Sequence, residues 1–340
     1  MDSPAGKGLL ERFHRALFGP PALFWVVVLL ALAYSYPEVV VEAFYQALGL
    51  PVWSRVLMAL AFAALLLFSA VMSDLARDDL YRWLEGYRWP VWALSWRTRT
   101  WEGRRKHMCD IWLGLEGTKR SLGPADIRRL SELDVELQHL PQAGSLLPTA
   151  FGNALRAAEE YVRSRYGLDP VVVWPRLWLL LSEERNELDG HRRALDAAVD
   201  GVFFSAILSF VGVFLFIIIL IMLLINNILN ISIIFPYKLT IFLLLVGPYF
   251  IWFFYRLAVK RAERFAVLLR AVFDVRRLHL YDALGCPRPQ PTKEKEAGRR
   301  LTSFLWRGGW PPCPDEAESI ARQEGETQIG KRGDSGHQHC

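Results

Sequence analysis

The chain has 340 residues, a formal net charge of +5 and 52% hydrophobic residues, with a mean hydropathy of +0.18. Positive hydropathy at ordinary charge content argues against a single soluble globular domain, and it excludes disorder throughout, which requires low hydrophobicity. The apolar residues are unevenly placed, because Lys238 and Arg256 are the only charged residues between 201 and 257. We therefore expect an integral membrane protein.

Residues 1–19 have apolar side chains at helical spacing with basic residues between them, which predicts an interfacial N-terminal segment. Four segments after it are apolar enough to cross a membrane, which takes roughly 20 mainly apolar residues. They cover residues 20–37, 52–72, 202–225 and 239–257. The first is the weakest and also has the outline of a signal peptide, with Ala31-Leu32-Ala33 as a cleavage site. Cleavage there leaves the topology of the other spans unchanged.

Basic residues indicate which side each connection occupies, because they are retained in the cytoplasm. They cluster before the first span, after the second, before the third and after the fourth. The two opposite connections carry only Arg55 and Lys238, both at span edges. We therefore expect both termini and residues 73–200 to be cytoplasmic.

A polar stripe follows the first span in residues 38–50. Glu38, Glu42 and Gln46 recur every four residues, so a helix places them on one side. Either the first helix is long and kinked, or this segment is a separate short helix in the outer interface. In an oligomer the stripe would form a carboxylate ring at a pore mouth and attract cations. Alternatively, these side chains face water or pair with Arg55.

Tryptophan and arginine alternate just inside the second span. Three interpretations are open, namely a membrane-surface anchor that meets anionic lipid, a domain core, or a nucleic-acid surface. The position beside a span favours the first two, and nucleic acid is disfavoured because residues 73–200 are nearly neutral. The candidate membrane-interface anchors are Trp83, Trp89, Trp92, Trp96, Arg88 and Arg97.

Residues 73–200 are numerous enough for a mainly helical cytoplasmic domain. One predicted helix runs from Pro124 to about residue 140. A second is capped by Thr149 and ends at Gly167. The apolar run 171–181 is either a buried strand or an element lying on the bilayer. From residue 182 the chain is predicted to be helical into the third span.

The fourth span is expected to continue as a helix to Gly285. With a proline-rich linker and a short basic helix it makes a cytoplasmic helical extension over 258–306. The remaining residues, 307–340, are poor in apolar side chains, which predicts a disordered tail. The predicted domains are thus the N-terminal segment, a first transmembrane hairpin (20–72), the cytoplasmic domain, a second transmembrane hairpin (202–257), the extension and the tail.

Signatures of catalysis are missing from the sequence. It contains no Gly-x-x-x-x-Gly-Lys-Ser/Thr, HExxH, GxSxG or GxGxxG motif. No cysteine pair has the CxxC spacing of a structural zinc site. An enzyme would require His107, His139 or His191 to meet carboxylates in a pocket. We therefore predict no catalytic, cofactor-binding or metal-binding residues.

The segment after Thr149 has small residues that allow close helix packing, and Arg156 is spaced to pair with Glu160. This stretch and two others resemble uncharacterised multi-pass bacterial membrane proteins. They are LYRWLEGYRWP (80–90), PTAFGNALRAAEEYVRSRYGLDPVVVWPRL (148–177) and FDVRRLHLYDALGCPRP (273–289). The resemblance covers most of residues 20–306 and implies a plasma (inner) membrane location with a middle cytoplasmic domain. It implies no activity and no catalytic residue.

The sequence as a whole predicts an all-α protein with four transmembrane helices. We expect a non-enzymatic, homo-oligomeric channel-like or scaffold component of the membrane. The alternative is a membrane-anchored signalling or accessory subunit that binds a cytoplasmic partner or anionic lipid through its Trp/Arg-rich segment.

Overall fold

The computed structural model describes residues 17, 19–117, 123–182, 184–229 and 237–308. Within these residues the chain folds into α-helices, with no strand. The predicted interfacial segment 1–19 and the tail 307–340 lie almost entirely outside them. The helices are α1 (Pro20–Ser35), α2 (Pro37–Gly49), α3 (Val52–Glu85), α4 (Val91–Gly117), α5 (Pro124–Gln138), α6 (Ala150–Tyr166), α7 (Pro170–Leu180), α8 (Arg185–Leu229), α9 (Tyr237–Ala283) and α10 (Glu294–Arg307).

Three helices, α3, α8 and α9, are long and apolar enough to cross a membrane. The first predicted span is different, because α1 and α2 pass that test only together and are bent by 114° at Tyr36. A residue before proline is disfavoured in helical conformation, and Tyr36 precedes Pro37, so the helix ends there. The polar-striped segment is therefore a separate helix, and the described chain has three candidate spans, or four if the bent pair counts as one.

The long helices continue well past their apolar segments. Helix α3 ends at Glu85 rather than near residue 72, and Gly86 closes it with a φ of 96°. Helix α8 starts at Arg185, and α9 runs on to Ala283. This confirms that the third and fourth apolar segments are parts of longer helices.

The chain divides into two compact units. The first comprises Met1–Trp96, Pro148–Gly152 and Gly190–Ala262, and the second comprises Arg97–Leu147, Asn153–Asp189 and Glu263–Cys340. The first unit contains the apolar segments, and each unit has its own buried cluster of side chains.

In the first unit, small residues allow α8 and α9 to approach closely. A Cβ atom added to Gly247 would lie 2.8 Å from the Cα of Ser209, and one added to Gly212 would lie 3.0 Å from the Cβ of Leu243. Small residues at such contacts are typical of membrane helices, which gain van der Waals contact from close backbones. Large apolar side chains on the same helices, such as Phe210 (71% exposed) and Leu245 (69%), point away from the unit. Lipid is the natural solvent for these faces.

The second unit has the larger buried apolar cluster. Fully buried side chains from α6, α7, α9 and α10 contribute to it, among them Val162, Val173, Leu177, Phe273 and Leu301. The run 171–181 contributes to this cluster as helix α7, so the strand interpretation is wrong. Asp169 starts this helix by accepting a hydrogen bond from the Val171 N–H, with Pro170 in the first turn.

The predicted ends of α6 are confirmed. The Thr149 hydroxyl accepts a hydrogen bond from the Gly152 N–H at 3.0 Å. Gly167 ends the helix with a φ of +71°. The predicted pair of Arg156 with Glu160 is wrong. Arg156 contacts Glu159 at 3.2 Å instead.

Glu160 forms hydrogen bonds with the turn that precedes α6. It accepts hydrogen bonds from the Gln142 N–H at 2.6 Å and from the Ser145 hydroxyl. These backbone and hydroxyl donors explain why Glu160 does not pair with Arg156.

Two glycines bring the end of α6 against α10. A Cβ atom on Gly298 would overlap the carbonyl oxygen of Tyr166, and one on Gly167 would overlap the carbonyl oxygen of Lys295. Both obstacles are backbone atoms, which cannot rotate aside as a flexible side chain would. The contact therefore requires glycine on both sides.

We predict that Gly298→Ala destabilises the protein by about 1–3 kcal/mol, because the added methyl group forces the two backbones apart. The measurement is the unfolding midpoint of the full chain in detergent. Gly103→Ala is the matched control, since Gly103 is helical and a methyl group there would have no neighbour within 4 Å outside its own helix. Alanine there should leave stability unchanged or raise it by up to about 1 kcal/mol. Equal loss in both variants would contradict a close backbone contact at Gly298.

Candidate functional site

The turn between α3 and α4 presents an exposed aromatic surface in the first unit. Trp83, Trp92 and Trp96 are 55%, 74% and 63% exposed. Trp92 and Trp96 are four residues apart on α4 and so share a face. Trp89 is held at the turn, where its indole N–H donates to the Trp83 carbonyl oxygen at 3.0 Å. The exposed rings form no core, which removes the domain-core interpretation for them.

Two arginines among the predicted anchors lie close to these tryptophans in the sequence. Arg88 contacts Asp79 at 2.6 Å, and the two side chains are 46% and 58% exposed, so solvent weakens the pair. Arg97 belongs to the second unit and is half-buried with a partner. We call Trp83, Trp89, Trp92, Trp96 and Arg88 the Trp/Arg surface.

The outer stripe lies on α2 and is fully accessible. Glu38, Glu42 and Gln46 are all exposed. The Gln46 amide donates to Glu42 at 3.1 Å, so two of the three side chains are in contact. In the part of the chain that the structure describes, Arg55 makes no ion pair with either carboxylate. Its pairing with the stripe, one of the interpretations above, is therefore not observed.

The flanks of the stripe are apolar and equally open. Phe44 is 62% exposed, Tyr45 69% and Val41 53%. A helix with a polar stripe between exposed apolar flanks suits a boundary between water and an apolar partner, either lipid or another protein surface.

A polar cluster between α3 and α8 was not predicted from the sequence. The Arg77 guanidinium contacts Asp200 at 2.9 Å and Asp74 at 2.6 Å. One turn further along α3, the Tyr81 hydroxyl donates to Asp196 at 2.8 Å. The spacing of three to four residues on each helix aligns these contacts in a row.

The contact of Arg77 with Asp200 is largely shielded from water. The Asp200 side chain is only 3% exposed and that of Arg77 is 16% exposed. One carboxylate oxygen of Asp200 and the Arg77 Nε have no hydrogen-bond partner within the described residues. A buried charge depends strongly on its counter-ion, so the pair fixes where α3 and α8 meet.

In the second unit, tyrosines on α6 converge on Asp274. The Tyr166 hydroxyl donates to Asp274 at 2.5 Å, and the Tyr161 hydroxyl donates to it at 3.1 Å. Burial, and after it the hydrogen bond to Asp274, raises the pKa of Tyr166 above its ordinary value. The hydroxyl therefore keeps its proton at neutral pH. Arg277 lies 4.1 Å from the centre of the Tyr166 ring. These contacts connect α6 with α9.

Histidines and acidic residues do not assemble a metal site among the residues described, which contain no suitable group of three or more His, Cys, Asp or Glu side chains. His107 is exposed. His139 is half-buried, and burial lowers its pKa. The negative charge of Glu263 opposes this shift, and the positive charge of Arg270 adds to it. The Nδ1 of His139 is buried without a hydrogen-bond partner within the described chain.

Comparisons with protein-family models, with curated proteins and with solved structures find no match. The resemblance to bacterial multi-pass membrane proteins therefore stays a prediction. Function is accordingly inferred from the surfaces and clusters described above.

We predict that Arg77→Met destabilises the protein by about 3–5 kcal/mol, because Asp200 is left buried without its counter-ion. The measurement is the free energy of unfolding in detergent. Asp79→Asn is the control, since it breaks the exposed pair with Arg88 and should cost at most about 1 kcal/mol. The double variant Arg77→Met/Asp200→Leu should recover part of the loss. No recovery would contradict the role of the unpaired carboxylate.

Proposed function

We propose that this protein is a non-enzymatic component of the plasma (inner) membrane that binds anionic lipid through its Trp/Arg surface and acts there as a scaffold or accessory subunit. The observation that carries this proposal is the exposure of Trp83 near the end of α3 and of Trp92 and Trp96 at the start of α4. Tryptophan rings favour the headgroup layer, where one edge meets hydrocarbon and the N–H meets water.

Arginine supplies the preference for anionic lipid in this proposal. Arg88 is exposed and contacts Asp79. Its remaining N–H groups can donate hydrogen bonds to a phosphate group. A basic residue near an anionic surface contributes about 1 kcal/mol to binding. The asymmetry of basic residues along the chain supports the cytoplasmic leaflet, and hence cytoplasmic termini, as the side on which the surface lies.

We expect the triple variant Arg88→Gln/Trp92→Ala/Trp96→Ala to retain phosphatidylglycerol at least roughly fivefold less than the wild type, which corresponds to the about 1 kcal/mol of one basic residue. Lipid retained by the detergent-purified full chain can be counted by native mass spectrometry. The matched control is Trp53→Ala/Arg55→Gln, at the opposite end of α3, where Trp53 is 66% exposed.

Unchanged retention in the triple variant would contradict lipid binding at the Trp/Arg surface, and so would an equal loss in the control. Retention of phosphatidylcholine should fall less than that of phosphatidylglycerol in the triple variant, because only the arginine contribution requires an anionic headgroup.

The second candidate function is a homo-oligomeric, channel-like assembly, and the geometry of α2 favours it. The bend of 114° turns α2 away from α1, and its stripe of Glu38, Glu42 and Gln46 is open to a neighbouring copy. Around a symmetry axis these carboxylates would form the cation-attracting ring expected from the sequence.

In a cysteine-free background, Glu42→Cys should give oxidative crosslinks between subunits in reconstituted membranes if the stripes face one another. Tyr45→Cys is the control, because Tyr45 is 69% exposed on a flank of the same helix and should crosslink less. A monomer in both variants would remove the oligomer proposal. In that case Glu42→Gln should also leave cation conductance through liposomes unchanged.

A further inference from the structure

A basic groove runs along the contact of α6 with α10 in the second unit. It consists of a cavity of about 470 Å³ and a smaller one of about 280 Å³, and Arg163 and Arg299 line both. Gly167, which lies against the backbone of α10, also lines the larger cavity. We call this feature the α6–α10 groove.

The groove is strongly basic. Two carboxylates line it, and both have partners within the protein. Asp169 accepts two hydrogen bonds from Arg163, at 3.1 and 3.2 Å. Glu160 accepts hydrogen bonds from the turn that precedes α6. The basic side chains outnumber them and are Arg156, Arg163, Lys295, Arg299 and Arg307.

Two of these arginines have their guanidinium groups open to solvent. Arg299 and Arg307 are exposed, and neither forms a hydrogen bond or ion pair within the described chain. Arg300, their neighbour on α10, differs because it contacts Glu296 at 2.6 Å. The side of α10 that carries Arg299 therefore presents unsatisfied guanidinium donors to the groove.

Other groups around these arginines suit the same kind of ligand. The hydroxyl of Ser303 is exposed in the larger cavity, and the Trp306 ring, 67% exposed, also lines it. Thr302 is already used, since its hydroxyl accepts a hydrogen bond from the Asp169 N–H at 3.0 Å and fixes the wall. The groove thus combines a fixed wall, available guanidinium donors, a hydroxyl and an aromatic ring.

We propose that the α6–α10 groove binds a phosphate group, with Arg299 and Arg307 as its direct ligands and Ser303 as an additional donor. Guanidinium groups match the planar, two-oxygen face of a phosphate and bind it through paired N–H donors. The phosphate belongs either to a soluble ligand or to a lipid headgroup, and the chemistry of recognition is the same for both. This site is independent of the Trp/Arg surface.

Pyrophosphate is the soluble probe for this site. Its binding to the full chain in an uncharged detergent can be followed by isothermal titration calorimetry. We expect Arg299→Gln and Arg307→Gln each to weaken binding roughly tenfold, as is typical for the loss of a charge-assisted hydrogen bond. Raising the salt concentration should weaken binding to the wild type as well. The matched control is Arg300→Gln on the same helix, which should bind as the wild type does.

A lipid source is tested in a second arm with the same proteins. Short-chain phosphatidic acid is added to the detergent, and bound lipid is counted by native mass spectrometry. Binding of this lipid without binding of pyrophosphate, lost in the Arg299 and Arg307 variants, supports a headgroup as the ligand. Binding of pyrophosphate without binding of phosphatidic acid supports a soluble ligand, and binding of both supports recognition of the phosphate group itself. The Trp/Arg triple variant should bind pyrophosphate as the wild type does, and phosphatidic acid held at the Trp/Arg surface should be retained by the Arg299 and Arg307 variants.

A steric variant separates ligand binding from charge alone. Ser303→Phe fills the larger cavity without changing the net charge, and it should weaken binding as much as Arg299→Gln does. Circular dichroism and the unfolding midpoint report whether each variant is folded. Two results would overturn the proposal: no binding of either probe to the folded wild type, or an equal loss in Arg300→Gln.

Discussion

The buried pair of Arg77 with Asp200 is the contact on which the arrangement of the first unit depends. Apolar faces of membrane helices can slide along one another at small cost, because lipid and protein side chains are similarly apolar. A slide of one helical turn, about 5.4 Å, would separate Arg77 from Asp200 and leave a dry carboxylate without its counter-ion. The parallel contact of Tyr81 with Asp196 fixes the same register one turn away. The glycine contacts of α8 with α9 then set how closely the helices pack.

The second unit is held together by different interactions. Its helices bury Phe273, Leu177, Leu301 and similar side chains away from water, as a soluble domain does. Polar contacts such as that of Tyr166 with Asp274 are added to this apolar cluster rather than replacing it. The units therefore differ in where their large apolar side chains lie, since the first exposes many of them on α8 and α9 and the second gathers its buried ones in one larger cluster.

Local features of the sequence predicted local features of the fold. Thr149 and Gly167 marked the ends of α6, and helical spacing predicted that α8 and α9 extend past their apolar segments. The strand interpretation of the run 171–181 was wrong. The run is too short to span a membrane, and its first three residues are valines, which favour strands. The tertiary environment overrode that preference, since a helix buries Val173 and Leu177 on one face.

Contacts between distant residues were outside the reach of sequence patterns. Arg77 and Asp200 lie on different helices. The helical spacing of polar residues is visible on each helix, but it does not indicate which residues of the two helices form a pair. The same holds for Arg163 and Arg299, which meet in one groove only because glycines allow α6 and α10 to touch. The exposed Trp/Arg surface could therefore be predicted, because it is nearly continuous in the chain, whereas the α6–α10 groove could not.

The two arginine-bearing surfaces differ in a way that bears on what each can recognise. On the Trp/Arg surface, Arg88 is paired with Asp79, so a ligand there must compete with a carboxylate, and broad contact of the rings with lipid supplies the remaining affinity. In the α6–α10 groove, Arg299 and Arg307 have no such competitor among the described residues, and Thr302, which is held by a hydrogen bond, lines the same cavity. A preformed set of available donors discriminates by the shape and charge of one group rather than by contact area. The first surface suits a membrane as a whole, and the second suits a single anionic group.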